Sequence, residues 1–270
     1  MPLPVLGNPW HRVCFTPMAN LNDQGSEMFA TNRLGLVQSL ETMRLQTEKL
    51  NQISNNLANT DTPGYKKDIV AFQEMLTRAA DGGQRIGRGI KIATDFQPEQ
   101  MEETGNPLHV AIAGDGFFRI QTPQGIRYTR DGNFTLSADN QLVTQDGNQV
   151  LGEGGPIQLG PGTVTIDAQG GIHMGDQTVA KLAIVSFANK QALEKEGKNL
   201  LRLKDQGTSE EPPASFSVRQ GYLETSGVEP MSEMIAMIEL SRSSESEQKM
   251  IHAIDSLDGM AVGQVGKLAG

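Results

Sequence analysis

Gln52-Ile53-Ser54-Asn55-Asn56-Leu57-Ala58-Asn59-Thr60-Asp61-Thr62-Pro63-Gly64-Tyr65-Lys66-Lys67 ends one kind of structure and begins another. Upstream of it, Phe29, Leu36, Leu40, Met43, Leu50 and Leu57 recur at steps of three, four or seven. That spacing lays one apolar stripe along a helix of roughly seven turns. Thr47 and Ser54 stand where the stripe should be apolar, so the seam is interrupted. Pro63 biases Thr62 away from the helical region, and Pro63-Gly64 signals a turn. The helix should stop near Asn59.

A second helical pattern runs from Met231 to Leu268. It carries Met231, Met234, Ile235 and Ile238, then Met250, Ile254, Leu257, Ala261, Val265 and Leu268. Between the two groups, Ser241-Arg242-Ser243-Ser244-Glu245-Ser246-Glu247-Gln248-Lys249 breaks the stripe for about two turns and shifts its phase. Two amphipathic ends around a glycine-rich middle predict a coiled coil, within the chain or between subunits, or else ordinary packed helices of one domain. Periodicity alone does not choose between them.

The 270 residues leave room for one large or two modest domains with a real core. A formal charge of -9 argues against nucleic acid as partner and gives no basic face for an anionic membrane. Cys14 is the only cysteine, which excludes an internal disulfide and any multi-cysteine metal site. No apolar run approaches the roughly 20 residues needed to span a bilayer. Pro2, Pro4, Pro9, Trp10-His11-Arg12 and Pro17 interrupt the N-terminus, where no signal peptide is read.

From Gly105 to about Phe216, strand signals dominate. Val110-Ala111-Ile112 and Phe117-Phe118-Arg119-Ile120-Gln121 flank Gly114-Asp115-Gly116, a hairpin signal. Further strands are expected at 126–129, 134–136, 141–144, 164–166, 172–174 and 182–185. Turn signals at roughly 8–12-residue spacing mark an all-β sandwich or barrel-like domain.

Motifs for chemistry are weak. Asp131-Gly132-Asn133 and Asp139-Asn140 lack EF-hand spacing and read as hairpin turns. His11, His109, His173 and His252 are dispersed, with no zinc or serine-elbow pattern beside them. Gly82-Gly83 and Gly87-Arg88-Gly89 lack a phosphate-loop ending. The Glu102-Glu103 pair reads as a solvated loop face. No catalytic constellation, metal site or cofactor site is expected.

Four segments, in order, are similar to the bacterial flagellar rod and hook proteins. Ser54 to Asn59 followed by Thr62 to Lys66 resembles that family's N-terminal signature. Gly105-Asn106-Pro107-Leu108-His109-Val110-Ala111-Ile112, leading to Gly114-Asp115-Gly116-Phe117-Phe118, resembles the entry to its β-domain. Tyr128-Thr129-Arg130-Asp131-Gly132-Asn133-Phe134 continues it, and Gln220-Gly221-Tyr222-Leu223-Glu224-Thr225-Ser226-Gly227-Val228 resembles the approach to its last helix.

The resemblance implies an α+β fold, in which long N- and C-terminal helices pair as a coiled-coil-like core beside a central mainly-β domain. It implies residues 28–60 as N-terminal rod-core helix, 61–104 as irregular linker, 105–218 as β-domain and 219–270 as C-terminal rod-core helix. Residues 1–27 precede that pattern as a disordered extension or a misplaced start. The implied function is a structural, non-enzymatic rod subunit without cofactors, polymerising helically through its terminal helices. The implied partners are its own copies, neighbouring rod proteins and the flagellar export apparatus. The implied place is the basal-body rod crossing the periplasm, reached without a cleaved signal peptide.

The expected assembly interface is Leu36, Leu40, Met43, Leu50, Ile53, Asn55, Asn56, Leu57, Asn59, Met234, Ile235, Ile238, Met250, Ile254 and Leu257. The 150–157 and 229–235 segments look most like the proximal rod subtype, with the distal rod or a hook-like axial protein second. The alternative from another class is a monomeric, soluble β-domain binding module. Ser243 and Ser244 depart from the large apolar residues usual in this family's last helix.

Overall fold

The computed structural model describes residues 21–78, 84–204 and 207–268, with side chains described for 39–70, 91–204, 207–257, 259 and 260. Expectations for residues 1–20, including Trp10, His11 and Cys14, and for the Leu36 side chain lie outside the described residues. Helix α1 spans Leu21–Ala58 and stops where Pro63-Gly64 predicts. Residues 21–27, expected within an N-terminal extension, belong to this helix.

After the turn, β1 (Asp68–Arg78) and β2 (Gln84–Thr94) pair as an antiparallel hairpin from Asp68↔Thr94 to Arg78↔Gln84. The linker expected to be irregular thus contains a regular two-stranded ladder.

The strands β3 (Met101–Glu103), β4 (Val110–Gly114), β5 (Phe117–Thr122), β6 (Gly125–Thr129), β7 (Phe134–Leu136), β8 (Leu142–Thr144) and β9 (Gln149–Gly152) follow. Next come β10 (Gly155–Pro156), β11 (Val164–Ile166), β12 (Gly171–Met174), β13 (Gln177–Lys181), β14 (Ile184–Val185), β15 (Leu193–Gly197), β16 (Leu200–Leu203), β17 (Phe216–Gln220) and β18 (Tyr222–Glu224). Helix α2 closes the described chain at Pro230–Leu268. The main sheet runs β15-β16-β6-β5-β9-β8-β7, with β10 on β9 and β14 on β5. A second sheet is β11-β12-β13, and the pairs β17-β4 and β18-β3 complete the region.

Alternation sends neighbouring side chains to opposite faces, Phe118 and Ile120 to one core and Phe117 to another. In β5, Phe117, Phe118 and Ile120 are buried while Gln121 faces water. Ile120, Val150, Leu142 and Phe134 from the main sheet share one core with Val164, Ile166 and Ile172 from the three-stranded sheet. Phe118 and Phe134 meet edge-on at 5.0 Å within it. A second cluster joins Phe96, Phe117, Tyr128, Phe187, Leu193 and Leu201.

The expectation that paired terminal helices make a coiled-coil-like core is overturned. The core is the β-region, and among the described residues much of the helices' apolar rows is open: Leu40 is 56 % exposed, Met231 63 %, Ile238 54 % and Leu257 58 %. The physical reason lies in the stripes themselves. Thr47, Ser54 and the Ser241–Lys249 break leave no continuous seam for knobs to fill, whereas the alternating strands close a core among themselves. Residues 45–242 form one compact unit, and residues 21–44 and 243–268 belong to another.

Candidate functional site at the root of the helices

The turn after α1 is tied into the compact unit by buried polar groups. Asn56, fully buried, uses both ends of its amide. Its Oδ1 accepts the Asp68 N–H at 3.1 Å, and its Nδ2 donates to the Asp68 carbonyl at 3.0 Å and to Glu233 Oε1 at 3.1 Å. One side chain therefore joins α1, β1 and the first turn of α2. Within this unit a polar bond links the two helices. Gln52 Nε2 donates to the same Asp68 carbonyl, and the Tyr65 hydroxyl reaches Asn56 Oδ1 at 3.4 Å. Burial pushes the Tyr65 phenol up to about 12, with Asp68 and Glu233 adding to the shift.

Beneath the turn lies a triad of charges. Lys66 Nζ donates to Glu224 Oε1 at 2.6 Å and also to the Gln97 carbonyl. The same Oε1 accepts the Glu99 N–H at 3.0 Å. Glu224 Oε2 faces Arg130 Nε at 3.7 Å, an ion pair without a hydrogen bond. The Arg130 guanidinium is held by the Ile112 and Gly114 carbonyls at 3.2 and 2.6 Å, and stacks over Phe117 at 5.5 Å. All three charged side chains are nearly inaccessible. Burial pulls the Lys66 ammonium down from its ordinary value, and Glu224 opposes that shift.

The main chain closes the junction. The Gly64 N–H donates to the Glu224 carbonyl at 2.8 Å, and the Gly227 N–H to the Tyr65 carbonyl at 2.9 Å. Ser226 Oγ donates to the Asn59 carbonyl at 2.8 Å. Lys195 from β15 forms an ion pair with Asp68 Oδ1 at 2.9 Å and lies over the Tyr65 ring at 4.1 Å. The four sequence segments quoted above therefore meet in space. Lys66, Arg130 and Glu224 come from three of them, while the Gly221 N–H donates to the His109 carbonyl at 2.8 Å and ties in the fourth.

Residues 39–66 match the model described as flagella basal body rod protein, residues 111–174 that of the flagellar hook protein FlgE/F/G D1 domain, and residues 219–263 that of the flagellar basal body rod FlgEFG protein C-terminal. Flagellar basal-body rod protein FlgF of Caulobacter vibrioides is 35 % identical over 234 residues, 84 % of this chain and 95 % of that protein. Flagellar basal-body rod protein FlgG of Bacillus subtilis is 34 % identical over 255 residues, covering 82 % and 95 %. The chain belongs to the flagellar basal-body rod protein family. As a rod protein it is a structural subunit, and its place is the basal-body rod.

The junction of this rod protein gathers only part of the expected interface. Ile53 and Asn56 are buried inside the unit. Met43, Leu57, Asn59 and Ile254 are half-buried, and Asn55 is exposed. Leu40, Leu50, Met234, Ile235, Ile238, Met250 and Leu257 are exposed. Sequence reasoning missed Lys66, Asp68, Arg130, Lys195, Glu224 and Glu233 as partners. Lys66, Arg130 and Glu224 each lie inside a segment that carried the resemblance, a signal that marked the positions but not their pairing.

Next to Arg130, the Asp131 carboxylate accepts the Asn133 N–H at 2.9 Å. Burial pushes its carboxyl up to about 6, with the Asn133 bond opposing and Asp146 adding. The folded pKa lies above the ordinary 3.8, so the stabilising contribution is full below that value and is lost as pH rises through about 6. Asp131→Asn is expected to remove this fall. Urea unfolding of both proteins across that window checks it, and a wild-type-to-variant difference that does not change with pH rejects it.

Proposed function

We propose that the chain builds the rod by presenting the open apolar rows of its helices to neighbouring rod subunits. The observation that carries the reading is the exposure of Met231 (63 %), Met234 (40 %), Ile235 (54 %) and Ile238 (54 %) in one row of α2, at helical spacing. A row of large apolar side chains left in water marks an interaction surface. Met250, Ile254 and Leu257 form a second row beyond the polar break. Leu40 and Leu50 offer the matching contribution of α1. The Asn56–Glu233 bond and the Lys66–Glu224–Arg130 triad anchor the roots of both helices inside the 45–242 unit, beside the Met231–Ile238 row. The same reading has the subunit exported unfolded by the flagellar export apparatus, and has no role for catalysis. The short span between Asn59 and Gly114 favours the proximal, FlgF-type subunit over the distal, FlgG-type one.

The test is the double variant Ile235→Asp with Ile238→Asp. Both positions face water, so the monomer's unfolding free energy should stay within about 0.5 kcal/mol of the parent. Incorporation into basal bodies purified from flagellated cells should be lost, because two carboxylates would be buried unpaired at each contact. Normal incorporation of the double variant would remove α2 from the assembly surface.

A further inference from the structure

Asn106 and Pro107 head a tight turn between β3 and β4, in which the His109 N–H donates to the Asn106 carbonyl at 3.0 Å. Asn106 Oδ1 accepts the Leu108 N–H at 3.0 Å, which fixes the amide's orientation and turns Nδ2 to His109 Nε2, 3.1 Å away. An amide nitrogen only donates, so Nε2 accepts and the ring proton sits on Nδ1. The far side of the ring agrees. Thr104 Oγ1 gives its proton to the Gly221 carbonyl at 3.2 Å and therefore accepts from His109 Nδ1 at 2.8 Å. A basic lone pair is thus held against the Asn106 amide nitrogen, and burial lowers the His109 pKa, with the Asn133 side chain opposing that shift.

A capped turn needs only the Oδ1 half of this arrangement. The base at Nδ2 is additional, and the next residue gives it meaning. Asparagine ordinarily ages when the following backbone N–H attacks its side chain, and Pro107 has no N–H. The intramolecular route left open runs the other way, from Nδ2 to the residue's own carbonyl carbon.

We propose that Asn106–Pro107 is a self-cleavage site at which His109 takes a proton from Nδ2 as that nitrogen attacks the Asn106 carbonyl carbon. The new C–Nδ2 bond closes a succinimide, and the bond to the Pro107 nitrogen breaks. The proton passes from His109 to that nitrogen, which leaves as a free amine. Atoms balance without water or oxidant, and water enters only later, when the succinimide opens. The His109 N–H on the Asn106 carbonyl stabilises the negative charge that develops there. Each chain reacts once, so this is no enzymatic turnover. The nick would break the covalent path from α1 to the β-region without parting the pieces. The β18–β3 pairing and the Lys66–Glu224 bond both cross it.

The purified full chain, incubated folded at neutral pH and then denatured for mass spectrometry, tests this. Two fragments are expected, 1–106 and 107–270, the second starting with Pro107. Their early masses sum to that of the intact chain, whereas a contaminating protease would add one water. Asn106→Asp keeps an acceptor for the Leu108 N–H but has no nucleophilic nitrogen, and should stay whole. His109→Gln, with its fold checked by thermal melting, should slow cleavage at least about 100-fold. A chain that remains a single mass after prolonged incubation overturns the proposal. So do fragments that carry the extra water from the start, and a nick that proceeds equally fast in His109→Gln.

Discussion

Glu224→Ala is expected to lower the unfolding free energy of the 45–242 unit by about 3–5 kcal/mol, because it leaves two cations buried without their counter-charge. Lys66 and Arg130 approach Glu224 at 2.6 and 3.7 Å, and all three side chains are nearly inaccessible. The Glu99 N–H loses its acceptor as well. Without Glu224, the group that opposes its downward shift, the Lys66 ammonium is pulled further below its ordinary value by burial. Breaking a buried pair is costly even where the intact pair contributes little. Replacing Lys66 and Arg130 by Met together with Glu224→Leu should therefore recover most of the stability. Urea midpoints of the single and triple variants measure both effects. A single variant within about 1 kcal/mol of the parent would show that the triad does not hold the junction.

Gly64→Ala should cost about 2–5 kcal/mol from two sources that a second substitution separates. The backbone at Gly64 has φ +65°, a conformation that an alanine adopts at a cost of about 1–2 kcal/mol. A Cβ there would also stand 2.6–2.7 Å from the Arg130 carbonyl carbon and oxygen and the Asp131 nitrogen, all main-chain atoms with little room to yield. Asparagine tolerates the left-handed region but carries the same Cβ. If Gly64→Asn loses as much as Gly64→Ala, close approach is the dominant cause; if Asn is nearly neutral, the dihedral is. A Gly64→Ala melting temperature equal to the parent's would refute both. The functional consequence follows the structure. A displaced turn shifts the exit of α1, and rod incorporation should fall even where folding survives.

The local elements and the family were legible from the order of residues alone. Pro63-Gly64 stopped α1 at Ala58, and most strands from β4 to β14 fell where period-two alternation and glycine turns placed them, since those signals act between near neighbours along the chain. The apolar rows of the helices were legible for the same reason. Which of those residues are covered emerged only from the folded chain. It left Met231, Ile235 and Ile238 open to water and buried Asn56, a polar residue beside the stripe, at the centre of the junction. It also chose Glu224 for Lys66, 158 residues away, and set Arg130 against the same carboxylate. Helical and strand periods report which residues share a face, but they carry no information about which distant face closes over it. That choice depends on how β3, β4 and β18 come together, and so does the pairing of buried charges that water no longer screens.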